Sequence, residues 1–271
     1  MIETPEVSGF PNLKKLILQR CTRLSKIHPS LGNLKRLTQL DLDGCKCLKS
    51  LPKNLGNVES LEELYLGGTA ITELPSSFVH LKNLRVLSLC GCEGLSSISS
   101  NKLLNFPLMP RRRSPDPMGM LERSLSSLSS LTNLNLSYCN LGSIPDTFGC
   151  LPLLRKLFLT GNNFVCLPKS IIRLSNLEVL IVNGCTTLRC LPELPLNIKG
   201  IYADGCTSLE TLPIRPEDDF HPDLWLMNCV KLIGNQGYNN IFLNILRRYF
   251  KVSLFNFINK SSFLSSIQID S

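Results

Sequence analysis

One spacing constrains this chain more than anything else in it. The pattern L-x-x-L-x-L recurs with Leu13, Leu37, Leu61, Leu84, Leu131, Leu154, Leu177 and Ile198 as its first apolar residue, at separations of 24, 24, 23, 47, 23, 23 and 21 residues. The separation of 47 is two periods with an insertion between them. A self-similar period in the twenties means that each unit cannot bury its apolar face alone and must stack on its neighbours, so the chain is expected to form a solenoid.

Written out, the copies run Leu13, Leu16, Leu18, Cys21, Leu24, Ile27, then Leu37, Leu40, Leu42, Cys45, Leu48, Leu51, and so on through Leu177, Leu180, Val182, Cys185, Leu188, Leu191. These positions resemble a leucine-rich repeat. The expected fold is an α/β solenoid, a curved horseshoe with a parallel sheet on the concave face and short helices, 3₁₀ turns or loops on the convex face. In each L-x-L the leucines point inward and the intervening residues outward, because side chains alternate along a strand. The second half of a unit reads Leu51-Pro52 with Leu55 and Val58, or Leu74-Pro75 with Phe78 and Leu81. Proline cannot donate to a ladder, and the three-residue apolar spacing after it predicts about one turn of 3₁₀ or α-helix.

The alternation lists a candidate protein-binding face. Between the second and third leucines stand Ile17, Asp41, Tyr65, Phe158, Ile181 and Tyr202, and after the third leucine stand Asp43 and Asp204 among others. Outward aromatic residues have no core to explain them, and such anchors with polar neighbours are what contact surfaces use, although single exposed apolar residues are ordinary. Asp41 and Asp43 beside Lys14, Lys15 and Arg20 give the first repeats a mixed-charge character.

Twelve cysteines suggest a disulfide framework until their register is read. Cys21, Cys45, Cys92, Cys139, Cys185 and Cys206 fill one slot of the repeat, where other copies have Asn162 or Thr69. They read as buried, reduced structural residues at turn positions, each serving backbone groups after the strand. The pairs Cys45 and Cys47, and Cys90 and Cys92, lack a C-x-x-C partner or clustered histidines, so no metal is expected. His28, His80 and His221 lie far apart. No Ser-His-Asp set, carboxylate motif or G-x-x-x-x-G-K-[ST] phosphate loop is present, so neither a cofactor nor catalysis is expected.

The net charge of +8 is spread along the chain, which reads as a solvated face rather than a nucleic-acid site. The first eleven residues include Glu3, Glu6 and two prolines, unlike a leader peptide, and the apolar stretch 241–258 is cut by Arg247, Arg248 and Lys251. The expectation is a soluble intracellular protein, cytoplasmic or nuclear, with no membrane span. The sequons at Asn135 and Asn259 then have no role.

The organisation reads as a solenoid over residues 1–214, interrupted by a Pro- and Arg-rich insertion at 99–124 that includes Arg111, Arg112 and Arg113. Residues 215–251 form a C-terminal cap, in which Leu224, Trp225, Leu226, Asn228, Cys229 and Leu232 imitate another strand and turn, followed by a helical pattern from Tyr238 to Lys251. Residues 252–271 have no assignment.

Several stretches are similar to one family. Pro11-Asn12-Leu13 through Cys21, Thr69-Ala70-Ile71-Thr72-Glu73-Leu74-Pro75, Leu191-Pro192-Glu193-Leu194-Pro195, Cys206-Thr207-Ser208-Leu209-Glu210 and Asn228-Cys229-Val230-Lys231-Leu232 resemble the repeat domain of plant TIR-NB-LRR immune receptors. The resemblance implies recognition of a pathogen effector or host protein by the concave surface, with autoinhibitory contacts to the receptor's own nucleotide-binding domain. It also implies a β-sandwich domain after the repeats, at the point where this chain stops, so the sequence reads as a receptor segment without TIR and nucleotide-binding parts. The alternatives are a general interaction scaffold, a receptor ectodomain, which would bring a leader, paired cap cysteines and a membrane span, or a truncated fragment without function.

Overall fold

The computed structural model describes residues 2–92, 94, 124, 125, 127–213 and 222–234. The insertion tip with Arg111 to Arg113, the helical pattern from Tyr238 to Lys251 and the segment 252–271 lie outside the described residues. Nine three-residue strands form a single parallel sheet among the described residues, in chain order: β1 (Lys15–Ile17), β2 (Gln39–Asp41), β3 (Glu63–Tyr65), β4 (Val86–Ser88), β5 (Asn133–Asn135), β6 (Lys156–Phe158), β7 (Val179–Ile181), β8 (Gly200–Tyr202) and β9 (Asp223–Trp225). The expected α/β solenoid is therefore the fold of the chain.

Register follows the apolar period. Leu16, Leu40, Leu64, Leu87, Leu134, Leu157, Leu180, Ile201 and Leu224 pair in sequence across the sheet. β4 pairs directly with β5 although their central leucines are 47 residues apart, so the insertion leaves the ladder unbroken. β9 continues the ladder by pairing with β8.

Turns of 3₁₀ helix follow the prolines as the spacing predicts, at Leu55–Asn57, Ser76–His80, Asp146–Cys150 and Lys169–Arg173, with a further one at Pro29–Asn33. Phe78, Phe148 and Ile171 point from these turns into the same interior as the strand leucines. That interior is one continuous cluster running from Val7 to Leu232. Each fully buried leucine contributes about 1.5–3 kcal/mol of apolar transfer, and stacking is the only way these short elements obtain it.

The two end coils differ from the others. Leu13, Leu16, Leu18 and Cys21 about β1, and Leu224 and Leu226 about β9, are partly buried rather than enclosed, because β1 and β9 are the edges of the sheet among the described residues. The expectation that all six slot cysteines are buried is corrected here for Cys21, which is half-exposed.

Candidate protein-binding face

The face is built by a turn that repeats after every strand. Its second residue has a left-handed backbone: Gly44, Gly68, Gly91, Gly161, Gly184 and Gly205, with Arg20, Tyr138 and Asn228 in the same slot at φ of 56°, 56° and 60°. Only glycine adopts that conformation without a Cβ penalty, so the recurring Gly before the cysteine slot has a backbone cause. The conformation sends each N–H along the solenoid axis, where Gly44 donates to the Gly67 carbonyl, Gly68 to Cys90 and Gly184 to Asp204, all at 2.7 Å. The sequence reading missed this row, although Gly-Cys, Gly-Thr and Gly-Asn recur at the period.

One residue later comes the turn slot. The thiols of Cys45, Cys92, Cys139, Cys185, Cys206 and Cys229 each donate to the carbonyl that ends the preceding strand segment, on Leu18, Leu66, Leu89, Leu159, Val182 and Ala203, at 3.0–3.3 Å. Asn162 does more: its amide donates to the carbonyls of Leu136 (2.9 Å) and Leu159 (2.8 Å), and its Oδ1 accepts from the Leu141 N–H (3.0 Å). Thr69 is shorter and returns its hydroxyl to the Leu66 carbonyl of its own coil. Burial pushes the thiols up, Cys139 and Cys206 to about 12 and Cys185 and Cys229 to about 11, so they remain protonated donors. These side chains are consumed by the backbone and contribute no contact surface.

Outward positions divide by what holds them. Ile17 is 56% exposed at the open end, while Tyr65, Phe158, Ile181 and Tyr202 are half-buried on the concave face. Tyr65 donates its hydroxyl to Glu63 at 3.0 Å, and burial together with that carboxylate pushes its phenol to about 12. Asp41, expected on the open face, is buried at 5% exposure. Its carboxylate accepts from the Gln19 side chain of the neighbouring coil and from the Asp43 N–H, so it braces the sheet and is withdrawn from contact. Asp43 accepts from the Gly67 N–H, and its pKa lies above the ordinary carboxylate value, first through burial, with the Asp41 charge adding to the rise. Asp204 accepts from the Met227 N–H at 2.7 Å. The acidic residues of the face thus tie adjacent coils together.

The aromatic stripe extends beyond the sequence-derived set. Trp225 on β9 pairs in register with Tyr202, their rings stack at 5.9 Å between centroids and 15° between planes, and Trp225 remains 47% exposed. Gly200 makes room for this: a Cβ there would lie 2.9 Å from Cε2 of the Tyr202 ring. Exposed Met227 lies beside them. Among the described residues no group of three or more His, Cys, Asp or Glu side chains could hold a metal ion.

The architecture matches known families. Residues 1–106 match the model described as leucine-rich repeat region, and residues 121–164 match the one described as leucine rich repeat. The chain belongs to the leucine-rich repeat family. This leucine-rich repeat chain is 35% identical over 197 residues to disease resistance-like protein DSC1 of Arabidopsis thaliana, covering 73% of the chain and 14% of the relative. It is 30% identical over 278 residues to TMV resistance protein N of Nicotiana glutinosa, covering 75% of the chain and 24% of that protein. These are plant disease resistance proteins of the TIR-NB-LRR class the sequence resembles, and the chain spans less than a quarter of their length. In solved structures, the leucine-rich repeat domain of the type III effector XCV3220 (XopL) shares the fold, with a TM-score of 0.60, 23% identity, 83% of this chain and 72% of that one.

Proposed function

We propose that this chain is the protein-binding segment of a plant innate-immunity receptor, working inside the cell, which uses its concave face to recognise a pathogen effector or a host partner and to hold the receptor's nucleotide-binding domain inactive. The role is binding rather than catalysis. One observation carries it: Phe158, Ile181, Tyr202 and Trp225 occupy successive outward positions on β6–β9, and no second layer covers them among the described residues. Large rigid side chains on a sheet already paired through its backbone are the anchors of protein contacts. The resistance relatives set the biological context, and no helix among the described residues is long and apolar enough to cross a membrane.

The test is capture from plant extract with the full chain as bait, comparing wild type with the double variant Phe158→Ala plus Tyr202→Ala. The variant should melt with the wild type within a few degrees and bind a specific partner about thirtyfold or more weakly, as removal of two anchors at about 1–2 kcal/mol each requires. The same partners captured at the same level would remove the concave stripe from the function.

A further inference from the structure

A second row of side chains runs along the flank of the solenoid, one residue before each Leu-Pro or Ile-Pro step. Its occupants are Ser50, Glu73, Ser143, Cys166, Cys190 and Thr211. The slot faces solvent: Glu73, Ser143 and Cys166 are exposed and Cys190 half-exposed. No core reason exists for cysteine here, and in neighbouring rungs the slot holds ordinary polar residues. Two consecutive rungs hold cysteine nonetheless, and isolated parallel bridges join Cys166 to Cys190 and Cys190 to Thr211.

We propose that Cys166 and Cys190 form a reversible disulfide that rivets the coil of β6 to the coil of β7. Their sulfurs lie 2.9 Å apart. Parallel neighbours are about 4.8 Å apart, inside the roughly 4.4–6.8 Å Cα range that a disulfide spans, so side-chain rotation suffices to close the bond. The geometry favours this pair: Cys45, Cys92, Cys139, Cys185, Cys206 and Cys229 are buried with their protons held by carbonyls, and among the described residues the more exposed Cys21, Cys47, Cys90 and Cys150 make no hydrogen bond to another sulfur. Cys166 is exposed and Cys190 only half-exposed, so Cys166 is the sulfur that a dissolved oxidant reaches first.

The oxidant is hydrogen peroxide. The Cys166 thiolate attacks one peroxide oxygen, an S–O bond forms, the O–O bond breaks, and the departing hydroxide leaves as water with the proton lost from Cys166. The Cys190 sulfur then attacks the sulfenic sulfur, the S–S bond forms, the S–O bond breaks, and hydroxide leaves as a second water with the Cys190 proton. Two thiols are oxidised by one electron each and one peroxide is reduced by two. The bond closes a loop of one coil between the strands bearing Phe158 and Ile181, and a dithiol reductant reopens it. The proposal rests on the flank geometry alone and is independent of what the concave face binds.

The experiment treats the purified full chain with hydrogen peroxide, blocks remaining thiols with iodoacetamide in denaturant, and digests with trypsin. The expected product is peptide 157–169 joined to peptide 190–199, about 2 Da lighter than the two free peptides combined and absent after dithiol reduction. The turn-slot cysteines should be recovered alkylated, and Cys166→Ser should leave Cys190 fully alkylatable under the same peroxide. Cys166 recovered as sulfinic or sulfonic acid with Cys190 alkylated, or joined peptides distributed among Cys47, Cys150, Cys166 and Cys190 without preference, would overturn the proposal.

Discussion

At the scale of single residues, the turn slot decides how stable each coil is. Asn162 satisfies three buried backbone groups and Cys139 one neighbouring carbonyl, so their removal should differ. Asn162→Ala leaves the Leu141 N–H without its partner and should cost about 2–4 kcal/mol; Cys139→Ala, which leaves the Leu89 carbonyl still bonded to the Cys92 N–H, should cost about 1–2 kcal/mol. Urea unfolding of the two variants checks the order. The thiols also give the array an alkaline limit. Their pKa is raised from the ordinary 9.0 to about 11 or 12 on folding, so the unfolded chain loses these protons first. Between those values the folded state binds more protons, and stability, complete below pH 9, must fall as pH rises toward 12. Urea midpoints at pH 7.5, 9 and 10.5 should decline in that order, and a flat series would mean that the slot thiols titrate normally. The slot itself was legible as a register of cysteines. The burial of Asp41 was not, because its partner Gln19 stands 22 residues away and reaches it only through stacking.

Elements are held by close approach as much as by apolar area. Gly56, in the 3₁₀ turn Leu55–Asn57, donates its N–H to the Ser77 hydroxyl at 3.0 Å, and a Cβ on it would stand 1.9 Å from the Ser77 carbonyl oxygen. Backbone of the next coil cannot yield without opening the stack, so Gly56→Ala should lower stability by about 1–3 kcal/mol despite the better helical propensity of alanine. A melting temperature at or above wild type would show that adjacent turns are looser than the packing implies. The turns themselves follow from proline and apolar spacing in the sequence. Their contact distance does not, since it depends on how tightly neighbouring coils nest. Ion pairs on the flank, Arg85 with Glu62 and half-buried Glu178 with both Arg155 and Lys199, alternate sign between coils, but their basic partners are solvent-exposed and the pairs add little.

Across the whole molecule, each coil touches only its neighbours, and damage should therefore spread by proximity rather than all at once. Leu87 is fully buried on β4, between Leu64 and Leu134. Leu87→Asp places a carboxylate in that interior without a partner and should cost several kcal/mol, unfolding the coils around β3–β5 first. Hydrogen exchange should show protection lost at Leu66 and Leu89 while Val182 and Ala203, several coils away, exchange as in wild type. Uniform loss across both ends would mean that the array behaves as one cooperative unit. The period alone determined the solenoid, its inward leucines, the turns after proline and the register of the thiols, because stacking identical units satisfies the same local chemistry at every step. Tertiary structure alone decided that Asp41 and Asp43 brace coils and that Tyr202 stacks on Trp225 over Gly200. Those outcomes depend on which side chains neighbouring coils bring into reach, a property of pairs of rungs that the shared repeat pattern does not encode.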